Sequence, residues 1–208
     1  MKISYAVTVA DELKEIQTIL PLLIEHKNEI DEIVVQYDNQ KVTVEVLEYL
    51  NDLVYNKKIT KLVGYPLNKD FGTFKQHLNA NCEGEWIFQL DADEILDEKL
   101  IQNLGKVLEG NSEIEMIFVP RINIVNGITE KHIQKWGWRV NEKGWVNFPD
   151  VQTRIYKNSD KIGWSGRVHE RIVGFQSYTA FPTDEVYCIR HPKTIDRQEK
   201  QNNYYDTL

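Results

Sequence analysis

The chain has 208 residues, of which 41% are hydrophobic and 27% charged, and its formal net charge at pH 7 is −7. This length and mixture are typical of a globular protein with one domain and a sizeable core. The negative net charge argues against general nucleic-acid binding, which needs a basic surface. No apolar run approaches the roughly 20 residues of a membrane span, so we expect no transmembrane segment.

The cysteine content and the N-terminus indicate the compartment. Cys82 and Cys188 lie far apart and form no CxxC pair, a usage that suits a reducing environment. The N-terminal apolar run is short, is followed by acids and lacks a cleavage-site pattern, so we interpret it as a strand and not as a signal peptide. We therefore expect a cytoplasmic protein.

The first 110 residues alternate strands with helices four times. The predicted strands cover 2–9, 33–37, 58–65 and 85–91, and the predicted helices cover 11–29, 41–56, 70–84 and 97–110. Pro21 predicts a kink or break in the first helix, and Gly84 predicts the end of the third. Asp97 and Gly110 predict the cap and the end of the fourth. The alternation predicts an α/β fold with a mostly parallel sheet and helices on both faces.

The character of the sequence changes after residue 115. We predict a long strand over 115–127, strand-like pieces in the aromatic stretch 135–158, short strands within 163–175 and 185–192, and a helix over 194–208. No repeat, low-complexity tract or linker is visible. We therefore predict a single domain over 1–208, with a nucleotide-binding half (1–110) followed by a substrate-facing half (111–208).

Acidic residues follow three of the predicted strands. Asp11, Asp38 and a cluster that begins at Asp91 all stand at carboxyl ends, where open α/β sheets bind their ligands. They share one crevice if these strands are neighbours, although the strand order is not readable from the sequence.

The cluster Asp91-Ala92-Asp93-Glu94 ends a strongly apolar strand. Its carboxylates repel one another, and a divalent cation relieves that repulsion, since Mg²⁺ and Mn²⁺ prefer oxygen ligands. The alternative is that these acids merely precede a helix, whose dipole favours negative charge. The apolar strand that leads into the cluster favours the metal.

Several segments resemble family 2 glycosyltransferases with the GT-A fold. GEWIFQLDADEIL resembles the DxD segment of that family, VTVADELKEI its first nucleotide-contacting turn, IVVQYDN its second strand, and FGTFKQHLNANCEGEW the helix before the DxD strand. PDVQTRIYKN followed by GWSGRVHERI resembles the acceptor-side region of a bacterial subgroup related to lipopolysaccharide-core glucosyltransferases.

The resemblance implies a GT-A-type, Rossmann-like sheet, with residues 1–110 binding a nucleotide sugar and a smaller mixed half, 111–208, facing the acceptor. The implied reaction is inverting transfer of a sugar from a nucleotide diphosphate sugar to an acceptor hydroxyl, with Mn²⁺ or Mg²⁺ as cofactor. The implied acceptor is a glycan, a lipid-linked molecule or another hydroxyl compound, which extends the expected location to the inner surface of the membrane.

The resemblance also assigns roles to residues by position. The nucleotide-sugar-binding residues are Ala10, Asp11, Glu12, Asp38, Lys75, Asp91 and Arg154. The metal ligands are Asp93, Asp91 and His191, while Glu94 is typical of the subgroup without an assigned role. Two positions depart from the family: Lys75-Gln76 replaces a common Arg-Asn, and Asn39-Gln40 follows Asp38 where Ser and Asp are frequent.

Glu170 is the candidate catalytic base, and Asp150 is the alternative. Without the resemblance, the favoured interpretation of Glu170 is a surface acid that pairs with Arg167 or Arg171. Arg154 and Arg190 are candidates for binding phosphate oxygens, because the guanidinium fork suits them.

The second half also carries candidates for acceptor binding. Four of the five tryptophans crowd into about thirty residues, and large aromatic faces can cover the apolar face of a sugar ring. We expect most of these residues to belong to the core, with Trp138 and Trp164 lining the acceptor cleft together with His169. For both His169 and His191, metal or diphosphate binding and an ordinary structural role remain open.

Two other functions fit parts of the pattern. A nucleotidyltransferase also combines paired carboxylates with a metal, but it usually has a Gly-rich basic loop near the first strand, and VTVADELKE has neither feature. A non-catalytic nucleotide- or carbohydrate-binding module of the same fold is the third interpretation. The presence of Asp91, Asp93 and Glu170 argues against it, whereas the departure at Lys75 leaves it open.

Overall fold

The structure is a computed structural model that describes residues 1–205. Its strands are β1 (Ile3–Val9), β2 (Glu32–Asp38), β3 (Lys61–Tyr65), β4 (Trp86–Asp91), β5 (Met116–Asn126), β6 (Trp145–Lys157), β7 (Gly163–Ser165), β8 (Arg171–Val173), β9 (Tyr178–Ala180) and β10 (Ile189–Thr194). Its helices are α1 (Leu13–His26), α2 (Val44–Tyr55), α3 (Phe71–Asn79), α4 (Glu98–Glu109), α5 (Glu130–Trp136) and α6 (Ile195–Tyr205), with a 3-10 helix at Glu185–Tyr187.

One large sheet has the strand order β10-β5-β6-β4-β1-β2-β3, and β9 also pairs with β5. All of its pairings are parallel except those of β6, which runs antiparallel to β4 and to β5. Strands β7 and β8 form a separate antiparallel hairpin. The predicted α/β fold with a mostly parallel sheet is therefore confirmed. The division of labour between residues 1–110 and 111–208 stays a prediction.

Strand alternation divides the core between the two faces of the sheet. On one face, Tyr5 and Val7 of β1 pack in a cluster with buried residues of α1, α2 and α4. On the other face, Ala6 joins Leu78 of α3 and Trp164 of β7 in a second cluster. Because both faces are covered, β1 is buried along its whole length, as its continuous apolar run requires.

Helix α1 runs through Pro21, so the predicted break is wrong, while the alternative of a kink stays a prediction. Proline removes one backbone donor, and its usual partner would be the carbonyl of Gln17. Both residues lie on the exposed side of the helix, where water can satisfy that carbonyl.

The third helix ends at Asn79, so Gly84 does not terminate it. Gly84 instead passes close to β1: its N–H donates to Ser4 Oγ over 2.8 Å, and a Cβ on it would lie 2.5 Å from the Ser4 nitrogen. The glycine is explained by this close approach of two backbones.

The fourth helix follows its prediction closely. Asp97 caps α4 by accepting from the Lys99 N–H over 3.0 Å, and Gly110 occupies its C-cap. Helix α5 was not predicted, and it ends at Gly137 with a left-handed φ of 63°. The start of the segment 185–192 forms a 3-10 helix before β10 begins, which corrects its prediction as a strand. Of the predicted tail helix, residues 206–208 lie outside the described residues.

Candidate active site

A cavity of about 750 Å³ lies at the carboxyl ends of β1, β2 and β4. The sheet order makes these three strands neighbours, which explains why the acids that follow them meet. Strands β5, β6 and β10 and the segment 164–170 contribute the opposite side. Every site residue assigned from the sequence lines this cavity: Ala10, Asp11, Glu12, Asp38, Lys75, Asp91, Asp93, Trp138, Arg154, Trp164, His169, Glu170 and His191.

Asp91 lies between two cations. Its Oδ1 is 3.3 Å from Lys75 Nζ, and its Oδ2 accepts from Arg154 Nη2 over 2.6 Å. Thr8 Oγ and Gln89 Nε2 donate to Oδ1 as well. Burial alone would raise the pKa of Asp91, but Arg154 and Lys75 hold that pKa well below its usual value. Asp91 is therefore a carboxylate whose two oxygens already have partners from the protein.

Glu94 is fully buried and organises the basic side of the site. Its Oε1 accepts from Arg154 over 2.6 Å and from Arg121 over 3.1 Å, while its Oε2 accepts the Asp91 N–H over 3.1 Å. Arg121 also contacts Asp150 over 2.7 Å. Glu94 thus fixes two guanidinium groups and the backbone of the turn that carries Asp91.

Asp93 faces β10 and α6. Its Oδ2 is 3.1 Å from His191 Nε2 and 3.4 Å from Arg197 Nη2. The other ring nitrogen of His191, Nδ1, lies 2.9 Å from Asn123 Oδ1, which orients the imidazole. Burial opposes the ionisation of Asp93, but the contacts with His191 and Arg197 lower its pKa.

A divalent cation fits this arrangement with two protein ligands. Asp93 and His191 supply an oxygen and a nitrogen beside the same cavity, and Mg²⁺ commonly takes one or two carboxylates with the remaining ligands from phosphates and water. Residues 1–205 contain no cluster of three or more His, Cys, Asp or Glu side chains able to hold a metal by themselves. Phosphate oxygens of a substrate would complete such a site.

Glu170 stands across the cavity from the strand-end acids. Its Oε1 is 2.8 Å from Lys75 Nζ, so Lys75 connects Glu170 to Asp91. Lys75 is only 4% exposed, and its ammonium also lies 4.7 Å from the centre of a Trp164 ring. The alternative pairing of Glu170 with Arg167 or Arg171 is not the one that the structure shows.

One wall of the cavity is built from the turns after β1 and β2. Asp38 is 2% exposed, and its Oδ1 accepts the N–H groups of Gln40 and Leu67, both over 3.1 Å. Its Oδ2 has no hydrogen-bond partner among the described residues, a situation that is costly unless a ligand donates to it. In the turn after β1, Glu12 accepts the Ala10 N–H over 2.7 Å, and burial raises the pKa of Glu12.

The remaining candidates separate into residues inside and outside the cavity. Trp138 and His169 lie at its wall, and Trp138 packs against Trp136 with 4.6 Å between ring centres. Asp150 is bound by Arg121 and does not line the cavity. Arg190 is exposed and lies 3.8 Å from Glu185, away from the cavity.

Sequence reasoning missed several polar residues of this cavity, among them Arg121, Asn123, Lys193 and Arg197. The first two alternate in the apolar strand PRINI, and that alternation of polar residues was the available signal. Arg197 lies in a tail of mixed charge, yet its Nη1 is 2.6 Å from Glu15 and its Nη2 is 3.3 Å from Glu12. Helix α6 thereby reaches the turn after β1.

Solved structures with a similar fold include TarS of S. aureus and a mannosyltransferase. TarS 1-349 of S. aureus in complex with UDP matches with 14% identity and a TM-score of 0.66, over 96% of this chain and 63% of that chain. Its complex with UDP-GlcNAc matches with 16% identity and a TM-score of 0.63, over 93% and 59% of the two chains. The mannosyltransferase PcManGT from Pyrobaculum calidifontis, with GDP-Man and Mn²⁺, matches with 12% identity and a TM-score of 0.57, over 90% and 56%.

These matches establish the fold as that of GT-A-like glycosyltransferases. The chain spans about 60% of the length of the TarS 1-349 structures. No protein-family model and no curated protein sequence matches the chain. Within residues 1–205, no helix has the length and apolar character needed to cross a membrane.

Proposed function

We propose that this protein is an inverting, metal-dependent glycosyltransferase that moves a sugar from a nucleotide diphosphate sugar to an acceptor hydroxyl. One observation carries the proposal: a single cavity holds Asp38, Asp91 and Asp93 at strand ends, with Glu170 facing them across Lys75. The fold supports it, since structures of this fold hold UDP, UDP-GlcNAc and GDP-Man.

The donor's nucleotide would lie against the turns after β1 and β2. Asp38 offers its unpartnered Oδ2 to a hydroxyl or N–H of the nucleoside, and the segment Ala10–Glu12 forms the adjacent wall. Lys75, Asp91 and Arg154 would then face the sugar and the diphosphate. We extend the role of Arg154 to orientation, because its Nη1 already donates to Gln89 and its Nη2 to Asp91 and Glu94.

Asp93 and His191 are the residues that would hold a divalent cation, with Asp91 beside them. When bound, Mn²⁺ or Mg²⁺ stabilises the negative charge that develops on the nucleoside diphosphate as it leaves. The complex of the mannosyltransferase with GDP-Man and Mn²⁺ supports metal use by proteins of this fold.

Glu170 would act as the catalytic base. The acceptor oxygen attacks the anomeric carbon, the bond from that carbon to the diphosphate oxygen breaks, and the acceptor proton passes to the Glu170 carboxylate. The bond's electron pair leaves with the diphosphate. A single displacement inverts the anomeric centre and needs one base, while Lys75 keeps the Glu170 side chain in place over 2.8 Å.

The acceptor would approach beside Trp138, Trp164 and His169, which line the cavity next to Glu170. The partly exposed ring of Trp138 suits the apolar face of a sugar, whereas Trp164 is only 9% exposed and contributes a small part of the wall. A glycan or lipid-linked acceptor, and with it a location in the cytoplasm or at the inner membrane surface, is the part of the proposal that the resemblance to lipopolysaccharide-core enzymes supports.

The test is the melting temperature of the purified protein with UDP or GDP, each with and without Mn²⁺. A ligand that binds only the folded state raises the melting temperature, by an amount that depends on its concentration relative to its dissociation constant. We expect one nucleotide to produce a rise that requires Mn²⁺, a smaller rise in the Asp93→Asn variant, and an unchanged rise in the Asp160→Asn control on an exposed loop. No rise with either nucleotide at saturating concentration contradicts the proposal.

A further inference from the structure

Lys193 is a partly buried cation for which the described residues provide no counterion within ion-pair distance. It lies near the carboxyl end of β10 and lines the candidate active site. Its Nζ donates to Gln201 Oε1 over 3.0 Å, and it forms no ion pair with any side chain described in residues 1–202. Removing an ammonium group from water is unfavourable unless a negative charge accompanies it. A lysine placed in this way beside a cavity indicates an anionic ligand.

The position of Lys193 defines where that anion lies. Side chains two residues apart on a strand point to the same face, so Lys193 follows His191 on one side of β10, roughly 7 Å along the strand. His191 contacts Asp93 over 3.1 Å. An anion anchored next to Asp93 and His191 can therefore extend along the strand towards the Lys193 ammonium.

The neighbouring cation is in a different situation. Arg197 already faces three carboxylates, those of Glu12, Glu15 and Asp93. Its positive charge is compensated by direct ion pairs before any ligand arrives. Lys193 makes no direct ion pair with the described side chains, and the longer-range attraction of Asp93 and Glu94 is opposed by the charges of Arg121 and Arg197. Of these two cations on the β10–α6 wall, Lys193 is the one available to a newly bound negative charge.

We propose that Lys193 binds a non-bridging oxygen of the donor's diphosphate and stabilises the leaving nucleoside diphosphate. The inference rests on the proposed function and adds a substrate-contacting residue on β10. The hydrogen bond would be charge-assisted and would strengthen as negative charge accumulates on the diphosphate during transfer. Gln201, which holds the ammonium over 3.0 Å, would orient it.

The experiment compares the dissociation constants of UDP and GDP with those of uridine and guanosine, in the presence of Mn²⁺, by titration calorimetry. Wild type is compared with Lys193→Met, with Lys193→Arg, and with the Lys106→Met control on the exposed side of α4. Losing one hydrogen bond to a charged group weakens binding by roughly 10–100-fold. We expect Lys193→Met to weaken the preferred diphosphate by that factor and to leave the matching nucleoside unchanged. Lys193→Arg should retain most of the affinity.

Thermal unfolding gives a second readout. A ligand-binding lysine contributes no ion pair to the free fold, so the melting temperature of unliganded Lys193→Met should equal or exceed that of wild type. A lower melting temperature with equal weakening of nucleoside and diphosphate would indicate a structural role and overturn the inference. So would an unchanged diphosphate affinity in a wild type that does bind it. If wild type binds no nucleotide at all, the proposed function fails first, and the inference falls with it.

Discussion

The Lys75 ammonium lies 2.8 Å from the Glu170 carboxylate, although the two residues are 95 positions apart in the chain. Lys75 belongs to α3, and Glu170 to the segment between β7 and β8. The backbone supports the same approach, since the Phe71 N–H donates to the Arg167 carbonyl over 2.9 Å. The pair therefore joins helix α3 to the segment that carries the candidate base.

Replacing one partner of the Lys75–Glu170 pair should destabilise the protein, and replacing the second partner as well should add less than its own single effect. Lys75→Met leaves two carboxylates, Asp91 and Glu170, without a shared counterion in a largely buried place. Removing one partner of a buried pair typically costs about 3–5 kcal/mol. We expect the double variant with Glu170→Gln to be more stable than the sum of the single effects predicts. Urea unfolding of wild type, both single variants and the double variant measures the coupling, and strict additivity would contradict a direct interaction.

Glu170→Gln should abolish turnover while sparing donor binding. A positioned general base typically contributes 10²–10⁴-fold to a rate, so we expect a loss of about that size. Release of nucleoside diphosphate from a nucleotide sugar, with water or a simple sugar as acceptor, measures turnover. The Glu109→Gln variant, altered at an exposed position of α4, is the matched control. Equal turnover in Glu170→Gln and wild type would assign the base to another residue, and no turnover in wild type would favour a binding module.

Arg154 is the electrostatic centre of the site and should be its most sensitive structural residue. It is 3% exposed and donates to Gln89, Asp91 and Glu94, all over 2.6 Å. Arg154→Met leaves the buried Glu94 and the partly buried Asp91 with fewer donors, and we expect a loss of about 3–5 kcal/mol in the free energy of unfolding. Arg154→Lys should recover little, because a lysine cannot reproduce the planar fork.

Arg190 provides the control for this substitution. It is 45% exposed at its side chain and lies 3.8 Å from Glu185. Exposed pairs of this kind contribute about 0–1 kcal/mol, so Arg190→Met should be almost neutral in urea unfolding. Comparable losses in the Arg154 and Arg190 variants would show that the buried network is not what stabilises this part of the protein.

The alternation of elements was predictable because its signals are local. Apolar periodicity and a capping residue such as Asp97 define a strand or helix within about fifteen residues. The strand order was not predictable, since β6 enters the sheet between β4 and β5 and pairs with β4, which lies far from it in the chain. The role of Gly84 was misread for the same reason: its constraint comes from Ser4, about 80 residues away.

The site residues also divide into those that local sequence predicts and those that depend on contacts between distant segments. Acids at strand ends were visible because their strands are visible, and the parallel sheet brings them together. Arg197 was not predictable as a site residue, because its contacts with Glu12 and Asp93 depend on where α6 packs. The burial of Glu94 was not predictable from the sequence. An acid within a cluster of acids usually indicates an exposed position, and the partners of Glu94, Arg121 and Arg154, come from later strands.

Acid should destabilise the protein through the network around Arg154 and Arg121. Burial opposes ionisation of Asp91 and Asp150, but the neighbouring guanidinium groups lower both pKa values below the ordinary 3.8. The unfolded chain then binds more protons than the folded one, so the stabilisation is complete above about pH 4 and is lost as the pH falls through the folded-state values. Glu12 acts in the opposite direction, because burial raises its pKa.

The measurement is the free energy of unfolding between pH 2 and pH 6 for wild type and for Asp150→Asn. The variant keeps the side-chain shape but loses one titrating group of lowered pKa, so its stability should fall less steeply below pH 4. Asp160→Asn, at an exposed position, should follow the wild-type curve. Identical acid limbs for wild type and Asp150→Asn would show that Arg121 does not stabilise the Asp150 carboxylate in the folded state.

Two glycines should respond in opposite directions to the same substitution. A Cβ at Gly84 would lie 2.5 Å from the Ser4 nitrogen, a backbone atom of the central strand β1 that cannot move without disturbing the sheet. A Cβ at Gly110 would meet its nearest neighbour, the Lys106 carbonyl oxygen, at 3.6 Å, and the φ of Gly110 is −68°. Gly84→Ala should therefore destabilise the protein by about 1–3 kcal/mol through overpacking. Gly110→Ala should stabilise it by about 0.4–1 kcal/mol, because alanine reduces the entropy of the unfolded chain. Urea unfolding of both variants decides the matter: a neutral Gly84→Ala would mean that β1 and the start of β4 are not held as closely as the Gly84–Ser4 contact indicates.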